Sequence, residues 1–411
     1  MKGTRWTILT SISGFLLCLP ASVGFSTGAL AAGHVPPAQA AAPDPLELAL
    51  DHLRNLEYDA AQKQIEVLLS QHPGDLRGLN YLGNVMLQRE MFRRELLETQ
   101  VYGPRGAAFR GEKVPLPSGF QQELFGILEK AEGLAESRWK QNRRDEEALY
   151  WGGVARVTRA IFRLSLTREH LAALREAKEA RKLHAQLLAL NPDFVDALLV
   201  IGTYDYVVGS LPWYMKVLAS LVGYRGDRAR GLAEIKRVTD EGHWAREDAK
   251  SFLAILYYRE TRYADALAIL QGLSQSYPRN FLLPQEMARV YKAQGDWRAA
   301  AAVYDAILAR HEAHAPGYSG IPLAKILYQA GQVHVELGET EEALRLYEEA
   351  AKLSESDMYV YRAELAAAGL CLQLNRRADA LRKYERVASG IPNTDEGKAA
   401  RRSLERLQES R

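Results

Sequence analysis

Cysteine is almost absent: Cys18 and Cys371 are the two in 411 residues. Cys18 lies in an N-terminal stretch read below as cleaved. No intrachain disulfide is then available, and stability must come from apolar burial. Charge of one sign is also missing. With 53 basic and 51 acidic residues the formal net charge is +2. That balance gives no broad basic field of the kind that draws nucleic acid or anionic lipid. Histidine is sparse. The nearest approach to a metal motif is His311-Glu312-Ala313-His314. There the two histidines stand three apart, where the zinc-protease helix needs four, and no third ligand is evident. No Gly-rich phosphate loop, nucleophile-elbow serine or Cys/His pair occurs. Cys371 sits in the apolar run 366–374 and reads as a small core residue. These absences argue against an enzyme, and no catalytic residue, metal or cofactor is expected. After the N-terminus, no apolar run is long enough to cross a bilayer as a helix.

The N-terminus is different. Lys2 and Arg5 precede the mostly apolar stretch 6–23, which Pro20 interrupts, and Ala29-Leu30-Ala31 follows as an A-x-A site. This is the arrangement of a secretory signal peptide. Lipid attachment at Cys18 needs a small residue before it, and Leu17 stands there. Cleavage after residue 31 takes away two cations and no acid, leaving basic and acidic residues equal. The chain is expected to be exported, periplasmic or associated with the cell envelope, and at most peripheral to a membrane.

What the chain does contain is a helical pattern that returns at a fixed interval. Leu253, Ala254, Tyr257, Tyr263, Ala266, Leu270 and Leu273 recur, all at the same offset, as Met287, Ala288, Tyr291, Trp297, Ala300, Tyr304 and Ile307. Apolar residues return at three and four positions, not two, so the pattern is helical. Leu82-Gly83, Ile201-Gly202 and Met287-Ala288 stand at one offset after Pro73, Pro192 and Pro278. Proline ends one helix, and the small residue lets the next approach its neighbour. Two less regular units follow. Gly331, His334, Gly338, Ala343, Tyr347 and Ala350 mark one; Ala368, Cys371, Ala380, Tyr384 and Val387 mark the other.

The layout expected is a signal peptide over 1–31, an Ala/Pro-rich linker over 32–43, and N-terminal repeats over 44–100. A Gly/Pro-rich irregular loop over 101–118 and a modified central helical region over 119–243 come next. C-terminal repeats cover 244–392 and a charged capping helix 393–411. The central region shows long helices over 121–142, 146–166 and 170–190, and a short apolar segment over 211–222.

A helix-turn-helix unit of about 34 residues resembles the tetratricopeptide repeat, and the chain resembles an exported bacterial protein of that type. The resemblance implies an all-α helical-repeat solenoid, a right-handed superhelix that binds a protein or peptide in its concave groove and carries no catalytic residue. The first helix of each repeat lines that groove. Counting from the small packing position gives Arg77, Asn80, Asn84 and Gln88, then Asp248, Ser251 and Tyr258. Gln285, Arg289, Lys292, Tyr328 and Gln332 complete the set. Amides and guanidinium groups there could bond an extended backbone or a carboxylate, although any solvated helix face shows the same spacing. A second possibility is a central aromatic pocket of Tyr204, Tyr206, Trp213 and Tyr214, holding a small molecule or lipid. The bland alternative for the 211–222 segment is that it fills the inside of the superhelix; a minority alternative is that it dips into a membrane. Nucleic acid is not an expected partner.

Overall fold

The computed structural model describes residues 44–98, 115–211, 213–214, 216–217 and 225–409. The expected signal peptide and linker, most of the expected 101–118 loop and most of the 211–222 segment lie outside the described residues. Among the described residues there are seventeen α-helices and no strand. In chain order they are α1 Pro45–Arg54, α2 Tyr58–Gln71, α3 Leu76–Arg93, α4 Phe120–Gln141, α5 Glu146–Ser165 and α6 His170–Leu190. After a 3₁₀ turn at Val195–Ala197 come α7 Leu198–Gly209, α8 Arg228–Glu241, α9 Arg246–Arg259 and α10 Tyr263–Ser276. The rest are α11 Leu282–Gln294, α12 Trp297–Glu312, α13 Leu323–Glu336, α14 Thr340–Ala351, α15 Met358–Gln373, α16 Arg377–Gly390 and α17 Asp395–Glu409.

Aspartate starts many of these helices. Asp44, Asp75, Asp145, Asp227, Asp296 and Asp357 each accept a backbone N–H of the following first turn, satisfying donors that the helix itself leaves open. Helix α9 lacks a local cap. The buried Asp196 of the 3₁₀ turn accepts the N–H groups of His243 (2.9 Å) and Ala245 (2.7 Å) in its place. The turn between the two helices of a repeat is equally regular. Leu56, Thr261, Gly295, Gly338 and Asn375 all have positive φ. In each case the next N–H bonds back to the last helical turn, as Asp296 does to the Tyr291 carbonyl (2.9 Å) and Glu339 to that of His334 (2.9 Å). This left-handed residue reverses the chain while pairing the helix's last carbonyls.

Within each unit consecutive helices pack against one another, and α13 also touches α15. The repeat ladder is what fills these contacts. Ala254, Ala266, Ala288, Ala300, Ala368 and Ala380 are all buried. At Gly331 a Cβ would meet the Tyr347 ring at 2.5 Å, so the tyrosine of the second helix occupies the space the first helix leaves. The longer helices α4, α5 and α6 add an ionic layer. Arg156 and Arg159 of α5 reach Glu132 of α4 at 3.1 and 2.7 Å, and Arg156 reaches Glu176 of α6 at 3.2 Å.

The chain forms two units, one ending at Tyr277 and the other beginning at Pro278. In the first, an aromatic core joins helices far apart in sequence. Tyr81 of α3 meets Trp151 of α5 edge-on with ring centres 5.7 Å apart, and Trp151 meets Trp244 before α9 at 5.5 Å. Tyr150 stacks on His184 of α6.

Candidate functional site

The aromatic core decides what the N-terminal unit can offer. Its first helices close on Tyr81, Trp151 and Trp244, and the residues expected to line a groove there are drawn in. Asn80 and Asn84 are buried. Asn80 donates to the Leu76 carbonyl (2.8 Å), and Asn84 accepts from Gln88 (2.6 Å). Asp248 is buried as well. These three therefore present no surface to a partner. Arg77, half-buried, is bound to Asp75 at 2.7 Å and lies over the Trp244 ring. The Ser251 hydroxyl donates to the Glu247 carbonyl, and Tyr258 packs near Tyr263.

The four residues of the expected aromatic pocket lie in different settings. Tyr206 is buried and its hydroxyl donates to Glu260 (2.9 Å), while Tyr204 lies beneath the Arg181 guanidinium at 4.5 Å. Trp213 and Tyr214 are exposed and contact each other. The two surface grooves described in this unit lie elsewhere. One of 610 Å³ is floored by Leu69, Leu79, Leu82 and Ile127, and one of 510 Å³ is bordered by Trp139, Arg156 and Lys182.

The C-terminal unit behaves differently. Here the first helices α11, α13, α15 and α17 are linked side chain to side chain. Gln285 of α11 is buried, which removes it from the expected surface, and its amide donates to Gln329 of α13 (3.2 Å). Tyr328 of α13 packs against Tyr359 of α15 with ring centres 5.8 Å apart. Gln332 donates to the Tyr328 hydroxyl (3.1 Å). Arg362 of α15 binds Glu396 of α17 at 2.9 Å and sits over the Tyr359 ring, as does the Lys325 ammonium of α13. Arg289 is paired with Glu286 of its own helix.

Tyr328, Gln332, Lys292, Arg289 and Arg362 are only partly buried, Arg289 the more enclosed with 11% of its side chain exposed. Burial, then the neighbouring Arg289, lowers the Lys292 pKa, with Glu336 acting the other way. Burial also raises that of Tyr328, against the nearby Arg362. The face thus offers tyrosine rings flanked by cations and a side-chain amide. Such groups stack on apolar side chains, bond peptide groups and attract carboxylates. On this face two expected residues, Tyr328 and Gln332, are brought into direct contact. Tyr359, Arg362 and Glu396 also lie on this face and were not among the expected residues, whereas Lys325 and Gln329 are buried behind it. The irregular spacing of the last repeat hid Tyr359 and Arg362.

Gly369 continues the Arg362 stripe on α15, and a Cβ there meets nothing within 4 Å. Glycine in a helix interior costs about 0.5–1 kcal/mol against alanine. Gly369→Ala should therefore raise the unfolding free energy by about that amount in urea titration. A loss of stability would show that this face is crowded rather than open.

Tetratricopeptide repeat family models match residues 280–356 and 328–395. No curated protein matches the chain. Similar solved structures include a thermophilic tetratricopeptide repeat protein of Thermus thermophilus, at 18% identity over 60% of this chain and 96% of that one, with a TM-score of 0.34. Yeast Tom70 is similar at 16% identity over 89% and 90% of the two chains, with a TM-score of 0.35. The human IFIT1 dimer with m7Gppp-AAAA is similar at 13% identity over 99% and 86%, with a TM-score of 0.40. Repeats of this kind generally serve as scaffolds for protein–protein interaction and are typically not enzymatic. The family models thus identify residues 280–395, within the C-terminal unit, as tetratricopeptide repeats.

Proposed function

We propose that the protein is an exported scaffold that holds a segment of a protein partner against the first helices of its C-terminal unit. The observation that carries this reading is the partly exposed ladder Lys292, Tyr328, Gln332 and Arg362, with the more enclosed Arg289 beside it, spread over three successive first helices. Amide, ring and cation there match the groups of an extended peptide. The N-terminal unit lends less support, because its inner residues are consumed by its own core. Export to the periplasm or cell envelope is supported by the basic, apolar and A-x-A sequence of residues 1–31.

Site-specific photo-cross-linking in cells tests the partner face. A cross-linker at Tyr328 or Gln332 should capture a protein that one at Arg382, on the exposed side of α16, does not. Tyr328→Ala with Arg362→Ala should weaken the captured complex tenfold or more, about 1.4 kcal/mol, while the helical circular dichroism stays unchanged. Equal capture at all three positions would sink the assignment. N-terminal sequencing of the protein from fractionated cells tests export separately: a chain beginning at Ala32 is expected, and an uncleaved cytoplasmic chain would refute it.

A further inference from the structure

Trp213 is 78% exposed, more than any other large hydrophobic residue among those described. Tyr214 is 40% and Val217 53% exposed, so three such residues fall within a span of five. Trp213 and Tyr214 meet edge-to-face at 6.0 Å. The charge pattern around them is one-sided. From residue 206 to 226 there is no acid, and the cations are Lys216 and Arg225. The bordering acids are already engaged. Asp205 is buried and bound by Arg230 at 2.5 Å. Asp227 accepts the first N–H groups of α8, and Glu260 binds Arg228 and the Tyr206 hydroxyl.

We propose that the Trp213, Tyr214 and Val217 face docks on the surface of an anionic lipid bilayer. Indole and phenol rings favour the headgroup boundary, where an apolar body meets a polar edge, and an adjacent lysine adds attraction to anionic headgroups. A protein interface would also cover apolar rings, but it would not by itself account for the lack of any carboxylate throughout the surrounding stretch 206–226. The contact is peripheral: among the described residues no helix is long and apolar enough to cross a membrane. The site is distinct from the partner face of the C-terminal unit.

The test uses protein beginning at Ala32, which removes the apolar stretch 6–23 as a competing anchor. Every residue of the described cores of this unit lies at or after Leu46. Co-sedimentation with phosphatidylglycerol/phosphatidylethanolamine vesicles should exceed that with phosphatidylcholine at least tenfold and weaken with salt. Trp213→Ser with Tyr214→Ser should reduce it at least tenfold, and Lys216→Glu severalfold, with unchanged circular dichroism. Wild-type protein left in the supernatant would overturn the proposal, as would a double variant that sediments like wild type. Self-association abolished by the double variant, without vesicle binding, would assign the face to a second copy and overturn it equally.

Discussion

Gly231→Ala should lower the unfolding free energy of the N-terminal unit by roughly 3 kcal/mol, at the upper end of the usual cost of overpacking. Helices α7 and α8 cross with glycine facing glycine. A Cβ at position 231 would press into the Gly202 carbonyl oxygen and stand 2.5 Å from the Tyr206 nitrogen. A Cβ at 202 would stand 2.8 Å from the Gly231 oxygen. Both obstacles are backbone, so no side chain can swing aside, and the helices must separate. Separation would also draw Arg230 away from Asp205, whose buried carboxylate needs it. Urea unfolding followed by circular dichroism measures the effect. Gly272→Ala on α10 is the control, because a Cβ there meets nothing within 4 Å. Equal stability of the Gly231 variant and wild type would mean that the two helices do not touch at these glycines.

Why the fold was legible and the site only partly so follows from the same residues. The ladder Ala254, Tyr257 and Ala266 is buried where the two helices of a repeat pack together, and its alanines are buried again one repeat on, at Ala288 and Ala300. A local contact that recurs leaves a period in the sequence. The long central helices were legible too, since their apolar spacing is local, as is the Asp145 cap of α5. Burial of a polar side chain is not local. Gln285 is buried by Gln329, 44 residues away. Asn80 and Asp248 are likewise buried in the unit that holds the Tyr81, Trp151 and Trp244 cluster. Nothing in the spacing of Arg77, Asn80 and Asn84 separates an open groove from a filled one. The same holds for Asp196, which reads as one more surface acid until the N–H groups of His243 and Ala245 are seen to point at it.

His184 carries the second large effect, and it is one of pH. The ring is fully enclosed between α5, α6 and the 3₁₀ turn, stacked on Tyr150. Its Nε2 faces the Tyr150 carbonyl at 3.2 Å and its Nδ1 the Ala197 carbonyl at 3.4 Å. Burial lowers its pKa from 6.5 to about 4, against the pull of those two carbonyls. Because the folded pKa lies below the unfolded one, the unfolded chain takes up the proton first. Stability is therefore undiminished above pH 6.5 and falls as the pH drops from there to about 4. The loss over that window is about 3 kcal/mol, at 1.36 kcal/mol for each unit of difference. His184→Gln should reduce stability at neutral pH through imperfect packing, yet flatten the acid slope. Gly153 sets the limit on any escape: a Cβ at that position would collide with the imidazole, so the ring has no room to swing toward α5 and reach water. Urea midpoints of wild type and His184→Gln between pH 7.5 and 4 decide the matter. Parallel acid slopes for the two proteins would assign the loss to the carboxylates instead.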